Sequence, residues 1–203
     1  MKNQTLRTFL AIAVVVGVLG YFAYREMHTK EILLSTSFVP VSAAVVESLD
    51  VPPLTKEQEK TIAKASASLP QTYKNDTYGF SLQYPDGFSV GDIPESDGTR
   101  TILLQDTSAG VGIQIYISPF IDEDTILTPE RIARDIPGIT VESPSPVSIS
   151  GRSGGIAFIS RNPLFGVSRE VWFVYRDHLY QLSTYITQDP LMEVILSTWK
   201  FSK

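Results

Sequence analysis

The sequence predicts an α+β fold: an antiparallel β-sheet flanked by helices, preceded by one N-terminal transmembrane helix. Three observations predict it. Short runs of alternating apolar and polar residues follow one another with brief turns between them, as consecutive antiparallel strands do. Two helix-start signals of the Thr-Pro and Asp-Pro kind interrupt the strands without alternating with each of them. An uncharged apolar run lies between Arg7 and Arg25, ahead of everything else.

That run is seventeen residues long and, extended by Leu6 and by flanking arginines that reach outward, meets the short limit for crossing a bilayer. Tyr21, Phe22 and Tyr24 gather at one end, where interfacial aromatics belong. We therefore expect residues 1–25 to be a membrane anchor. A cleavable signal peptide is the competing reading, with Lys2 and Arg7 as its basic start and Val18-Leu19-Gly20 as a weak cleavage site. Lys2 and Arg7 face Arg25 and Lys30 across the run, a slight bias toward a cytoplasmic N-terminus and an extracytoplasmic domain.

Residues 26–72 read as a stalk or linker. Pro52-Pro53 stops any regular element, and Thr55-Lys-Glu-Gln58 is a capping-box start for a short helix over about 55–68. Ile62, Ala65 and Leu69 give that helix only a thin apolar stripe, which suits marginal docking or a spacer.

Residues 73–203 are expected to form the domain. Phe80, Leu82 and Tyr84 alternate with Ser81 and Gln83, and Pro85-Asp86-Gly87 is a turn. Further strands are expected over 101–106, 112–118, 147–150, 155–161, 168–176 and 178–187, the last two forming a hairpin around Asp177. Thr128 caps a short helix with Pro129 in its first turn and Pro137-Gly138 at its close. Asp189-Pro190 opens a second helix through Leu196, and Trp199-Lys-Phe201 ends the chain as a short strand.

Composition excludes several function classes. The net charge is −5, and the domain alone carries ten Lys/Arg against sixteen Asp/Glu, so it lacks the basic stripe that nucleic acid requires. There is no cysteine, which removes disulfides, thiolate nucleophiles, Cys-ligated zinc, iron–sulfur clusters and lipobox lipidation together. The two histidines are His28, beside the apolar run, and His178, next to Asp177 in a turn. Neighbours on a tight turn point apart too readily to build a Ser-His-Asp relay, so His178 is expected to be a solvated turn residue.

Several short motifs together resemble PsbP-like domains. Tyr78-Gly-Phe-Ser-Leu-Gln-Tyr-Pro-Asp-Gly-Phe88 is similar to their aromatic-alternating opening strand and turn. Val147-Ser-Ile-Ser-Gly-Arg-Ser-Gly-Gly-Ile-Ala-Phe158 resembles their Gly-centred hairpin. Tyr180-Gln-Leu-Ser183 with Ile195-Leu-Ser-Thr-Trp-Lys-Phe201 resembles their closing hairpin, helix and final strand. The resemblance implies an antiparallel sheet sandwiched by helices, and a non-catalytic binding or assembly subunit. The anchor departs from the long targeting sequence of the photosynthetic members, and no functional residue carries across.

We expect no catalytic residue and no cofactor; two acidic loops, Asp122-Glu-Asp124, and Asp92, Glu95 and Asp97 before Gly98, read first as solvated acidic loops and second as calcium sites. Neither follows the alternating-ligand spacing of an EF-hand. Gly151-Arg-Ser-Gly-Gly155 lacks the ending of a phosphate-binding loop and reads as a hairpin turn. Apolar residues at the tip Pro163-Leu-Phe-Gly-Val167 either fold back on the sheet or meet a partner or lipid, which makes Leu164, Phe165 and Val167 the candidate contact residues. The expected partners are the lipid bilayer, through the N-terminal helix, and an envelope protein or ligand. Two further readings stay open: a tethered hydrolase using carboxylates in a sheet cleft, and a structural stalk. Gly17 and Gly20 lack the four-residue spacing of the small-residue dimer motif.

Overall fold

The computed structural model describes Leu49 and residues 51–162 and 166–202. The expected membrane anchor lies outside these residues, and no helix among the described residues is long and apolar enough to cross a membrane.

The chain enters through Pro52-Pro53 into helix α1 (Lys56–Ala67). Its capping box forms as the sequence indicates: the Gln58 N–H donates to Thr55 Oγ1 (3.2 Å), and the Thr55 N–H donates to Gln58 Oε1 (3.0 Å). Ile62 and Ala65 are buried in the main core, so the helix is docked on the domain. Strand β1 (Gln71–Asn75) follows at once. Gln71 and Thr72, which the sequence places in the linker, thus belong to a sheet. β1 is polar, without alternation, and buries only Asn75, so no periodic signal announced it.

The remaining elements are β2 (Phe80–Tyr84), β3 (Ser89–Pro94), β4 (Arg100–Asp106), β5 (Val111–Pro119), helix α2 (Pro129–Asp135), β6 (Glu142–Ile149), β7 (Ser153–Asn162), β8 (Gly166–Tyr175), β9 (His178–Tyr185), a 3-10 turn (Ile186–Gln188), α3 (Asp189–Ser197) and β10 (Lys200–Phe201). Every pairing among them is antiparallel. Among the described residues the expected single sheet is two. One has seven strands in the order β3-β4-β5-β9-β8-β7-β6, and the other has three in the order β1-β2-β10. The chain is α+β, with helices on both faces of the larger sheet.

Alternation along the strands decides what each face meets. On the first face, Ile102, Leu104, Ile113, Ile115, Ile117, Val171, Phe173, Tyr180 and Leu182 point into one core with Phe80 and Leu82 of β2 and Leu191, Met192 and Ile195 of α3. Aromatic rings lock this layer: Phe80 stacks on Trp199 at 4.3 Å and Phe173 on Tyr180 at 4.8 Å between centroids. The small sheet lies on this face because β2 carries two fully buried residues, Phe80 and Leu82, that need a core to cover them. On the second face, α2 covers only the β7–β8 end, where Ile132 packs on Ile156, Phe158 and Trp172.

The edges of the large sheet differ. β6 is guarded by Pro144 and Pro146 and by a bulge between Glu142 and Ser145. β3 is short, exposed and ends in Pro94, with Gly91 at its middle. That composition hid it from a reading by propensity.

Candidate functional site

The second face of the large sheet is uncovered over β9, β5, β4 and β3 among the described residues. Gln114 is exposed, and Thr101, Leu103, Tyr116, Gln181 and Ser183 are half-buried in the rows beside it. The strand period places Ser168, Glu170 and Trp172 of β8 on this same face, at its boundary with the layer under α2. In register, Glu170 lies between Phe158 of β7 and Ser183 of β9. It is the only charged residue at a second-face position of β3, β4, β5, β8 or β9.

Two donors hold the Glu170 carboxyl. Ser168 Oγ–H donates to Oε1 (2.7 Å), and Trp172 Nε1–H donates to Oε2 (3.1 Å). Burial pushes its pKa up from 4.5 to about 7, against the opposing pull of those two hydrogen bonds. No charge among the described residues contributes to the shift. The group is a desolvated acid, oriented by two donors and without a counter-charge among the described residues, on a half-buried residue beside the uncovered rows.

Below pH 4.5 the carboxyl is neutral in both folded and unfolded chains and costs nothing. Between 4.5 and about 7 the unfolded chain ionises while the folded one resists, so stability falls as pH rises and levels off above the folded pKa. The loss is up to about 3 kcal/mol, reduced by whatever water reaches the half-buried side chain. Glu170→Gln should abolish it. Urea midpoints at about pH 5 and about pH 8 check this, with the wild type losing ground and the variant unchanged in this respect. Parallel behaviour of the two proteins would remove Glu170 as the cause.

The acidic loops make structural contacts. Arg131 of α2, itself buried, is the counter-ion of the first of these loops. Its guanidinium meets Asp122 Oδ2 at 2.8 Å, the Asp124 carbonyl at 2.6 Å, the Ile126 carbonyl at 3.1 Å and Asp135 Oδ2 at 3.5 Å. In the other loop Asp92 accepts from Tyr73 (2.8 Å) and pairs with Arg100 (2.6 Å), tying the small sheet to the large one. Asp97 accepts from both the backbone and the hydroxyl of Thr99. Tyr73 is pushed up to about 12, chiefly by burial and then by its bond to Asp92. Among the described residues no three His, Cys, Asp or Glu side chains gather as a metal site.

His178 is not a freely solvated turn residue. It opens β9, half-buried, with its ring edge-on to Tyr78 at 4.9 Å, and burial lowers its pKa. Gly151 is in the hairpin turn between β6 and β7 with φ +63°. Of the candidate contact residues, Leu164 and Phe165 lie outside the described residues. Val167 is half-buried and packs against Leu49, Ile159 and Ile186, a small cluster where the chain enters the domain.

A groove of about 440 Å³ runs between α1 and the β2–β3 turn, with Lys60 and Lys64 beside Glu57, Asp86 and Asp106. Its charges are mixed in sign and select no ligand class. A second, of about 260 Å³, lies between Val51–Leu54 and the 3-10 turn. Glu170 was not singled out in the sequence analysis. A signal existed: Ser168-Arg-Glu-Val-Trp-Phe173 places one charge on each face in the middle of an apolar strand, which alternation alone does not require.

Comparison with known proteins adds little. No family model matches the chain, and no curated protein does. Among solved structures it is similar to the solution structure of cyanobacterial PsbP (CyanoP) from Synechocystis, at 16% identity and a TM-score of 0.45, covering 64% of this chain and 91% of that one.

Proposed function

We propose that this chain is a membrane-tethered, extracytoplasmic binding or assembly module of PsbP-like kind, without catalytic activity. The observation that carries the reading is the uncovered second face. It presents polar and aromatic side chains on paired strands, with one oriented carboxyl at its border. A rigid sheet face offers many weak contacts to a macromolecule and little enclosure to a small substrate. The ordered motifs over residues 73–203 and the uncharged run between Arg7 and Arg25 support the PsbP-like kind and the tether respectively.

A hydrolase of the two-carboxylate kind stands second. Glu170, with its pKa near neutrality, suits a general acid. That chemistry needs a second carboxyl roughly 5 to 9.5 Å away. The neighbouring positions on the face are Ser168, Phe158, Ser183 and Trp172, none of them acidic.

The address is tested by labelling. Thr107 is exposed in the β4–β5 turn of a chain without cysteine, so Thr107→Cys provides a single thiol. The expected result is modification by an impermeant maleimide in intact cells. Modification only after lysis would place the domain inside and end the extracytoplasmic reading. Binding is tested by a photo-crosslinking residue at Gln114, which should give a discrete adduct in cells where the same residue at Thr107 gives none. Absence of an adduct at Gln114 would count against the module reading.

A further inference from the structure

We infer that the uncovered sheet face takes a protein partner through a basic side chain, a lysine or arginine, whose cationic head docks on the carboxyl of Glu170. The inference rests on the binding-module reading and names the chemistry of the partner.

Away from Glu170, the face carries no charge among the described residues. Its exposed and half-buried positions include Thr101, Leu103, Gln114, Tyr116, Gln181 and Ser183, with Ile93 and Tyr185 exposed at its margins; these donate and accept hydrogen bonds or offer apolar area but carry no charge. Into this neutral surface the fold sets a single acid and fixes it with two hydrogen bonds, one from Ser168 and one from Trp172. Orienting a carboxyl in this way costs side-chain freedom, and withdrawing it from water costs more. Both costs are offset when a cation arrives, because the attraction is strong where water is scarce.

No charge within the described domain takes that role. The opposing residue on β7 is Phe158 and that on β9 is Ser183. On α2, Arg131 is engaged by Asp122, Asp124 and Asp135, and Arg134 by Asp135, while Glu130 is exposed. Arg169, next to Glu170 in sequence, points to the opposite face and pairs with Asp189. The site is complementary to a cation delivered from outside. Its surroundings agree in kind: Trp172 and Tyr116 share the face, and Gln114, Gln181 and Ser183 are placed to bond a partner's backbone or neighbouring polar groups. The domain's acidic balance draws basic surfaces toward it over longer range.

The test uses the full-length chain with carbon-13 at the glutamate carboxyls and butylguanidinium chloride as the probe, compared with sodium chloride at equal ionic strength. The guanidinium salt should lower the Glu170 midpoint by about one unit or more relative to sodium chloride, as an adjacent opposite charge does. It should also shift the backbone amides of Gln114, Gln181 and Ser183, and Glu170→Gln should abolish those shifts. Equal midpoints in the two salts would overturn the inference. The photo-adduct at Gln114 separates this failure from that of the module reading. Loss of the adduct in Glu170→Gln by about tenfold supports the cationic contact. An adduct of equal yield in Glu170→Gln overturns the contact and leaves the module standing. No adduct from the wild type overturns the module and this inference with it.

Discussion

Asp189→Ala should destabilise the domain by about 3–5 kcal/mol. Asp189 is the first residue of α3, and its carboxylate meets the guanidinium of Arg169 from β8 at 3.2 Å, with both side chains 2% exposed. Burial lowers the Arg169 pKa, and Asp189 opposes that shift. A guanidinium does not deprotonate to escape burial, so without the carboxylate it remains a charge in a core. The carboxylate also lies in the first turn of α3, where the helix dipole favours a negative group. The check is the urea midpoint of the variant, with the double change Arg169→Met and Asp189→Leu beside it. Removing both charges should restore most of the loss, since the pair's value lies mainly in not being broken. A double variant as unstable as Asp189→Ala would show that the damage comes from packing.

Gly155→Ala should cost about 3 kcal/mol, an unusual penalty for one methyl group. Gly155 is in β7, directly across from Phe173 of β8. A Cβ at Gly155 would overlap the Trp172 carbonyl oxygen and lie 2.8 Å from Phe173 Cβ. The first of these is backbone in the centre of a sheet, and Phe173 is fully buried, so neither neighbour gives way. Gly154, one residue earlier, has nothing within 4 Å of its would-be Cβ. Gly154→Ala is therefore the matched control. Thermal melts of the two variants should differ by many degrees. Equal melts would mean that β7 and β8 can separate more easily than their register indicates.

The strands with alternation were legible. Ile113, Ile115 and Ile117 identified β5 and its buried face, and the hairpin of β8 and β9 was readable around Asp177. Helix signals were legible too, because capping chemistry is local: Thr55 with Gln58, Thr128 with Pro129, and Asp189 with Pro190 all start helices where expected. What escaped is non-local. β1 and β3 are edge strands, polar or broken by glycine and proline, and they are held by pairing with distant partners. The division into two sheets was hidden for the same reason, since β2 and β10 are separated by most of the domain in sequence.

The site was less legible than the fold. Acidic triplets drew attention to Asp122-Glu-Asp124, yet charge density along the chain does not say who the counter-ion is. The counter-ion of that loop is Arg131, brought in by α2. A lone glutamate in an apolar strand drew none, although burial without a counter-charge is a stronger physical signal than clustering in solvent. Seeing it required the cross-strand register, which places Phe158 and Ser183 beside Glu170.

The most direct test is the titration of the Glu170 carboxyl in the full-length chain, followed by carbon-13 NMR and assigned with Glu170→Gln. A midpoint near 7 is the result predicted for an oriented, uncompensated acid at the edge of the uncovered face. A midpoint at the ordinary 4.5 would mean that the carboxyl is hydrated or already paired, and the proposed site would lose its physical basis.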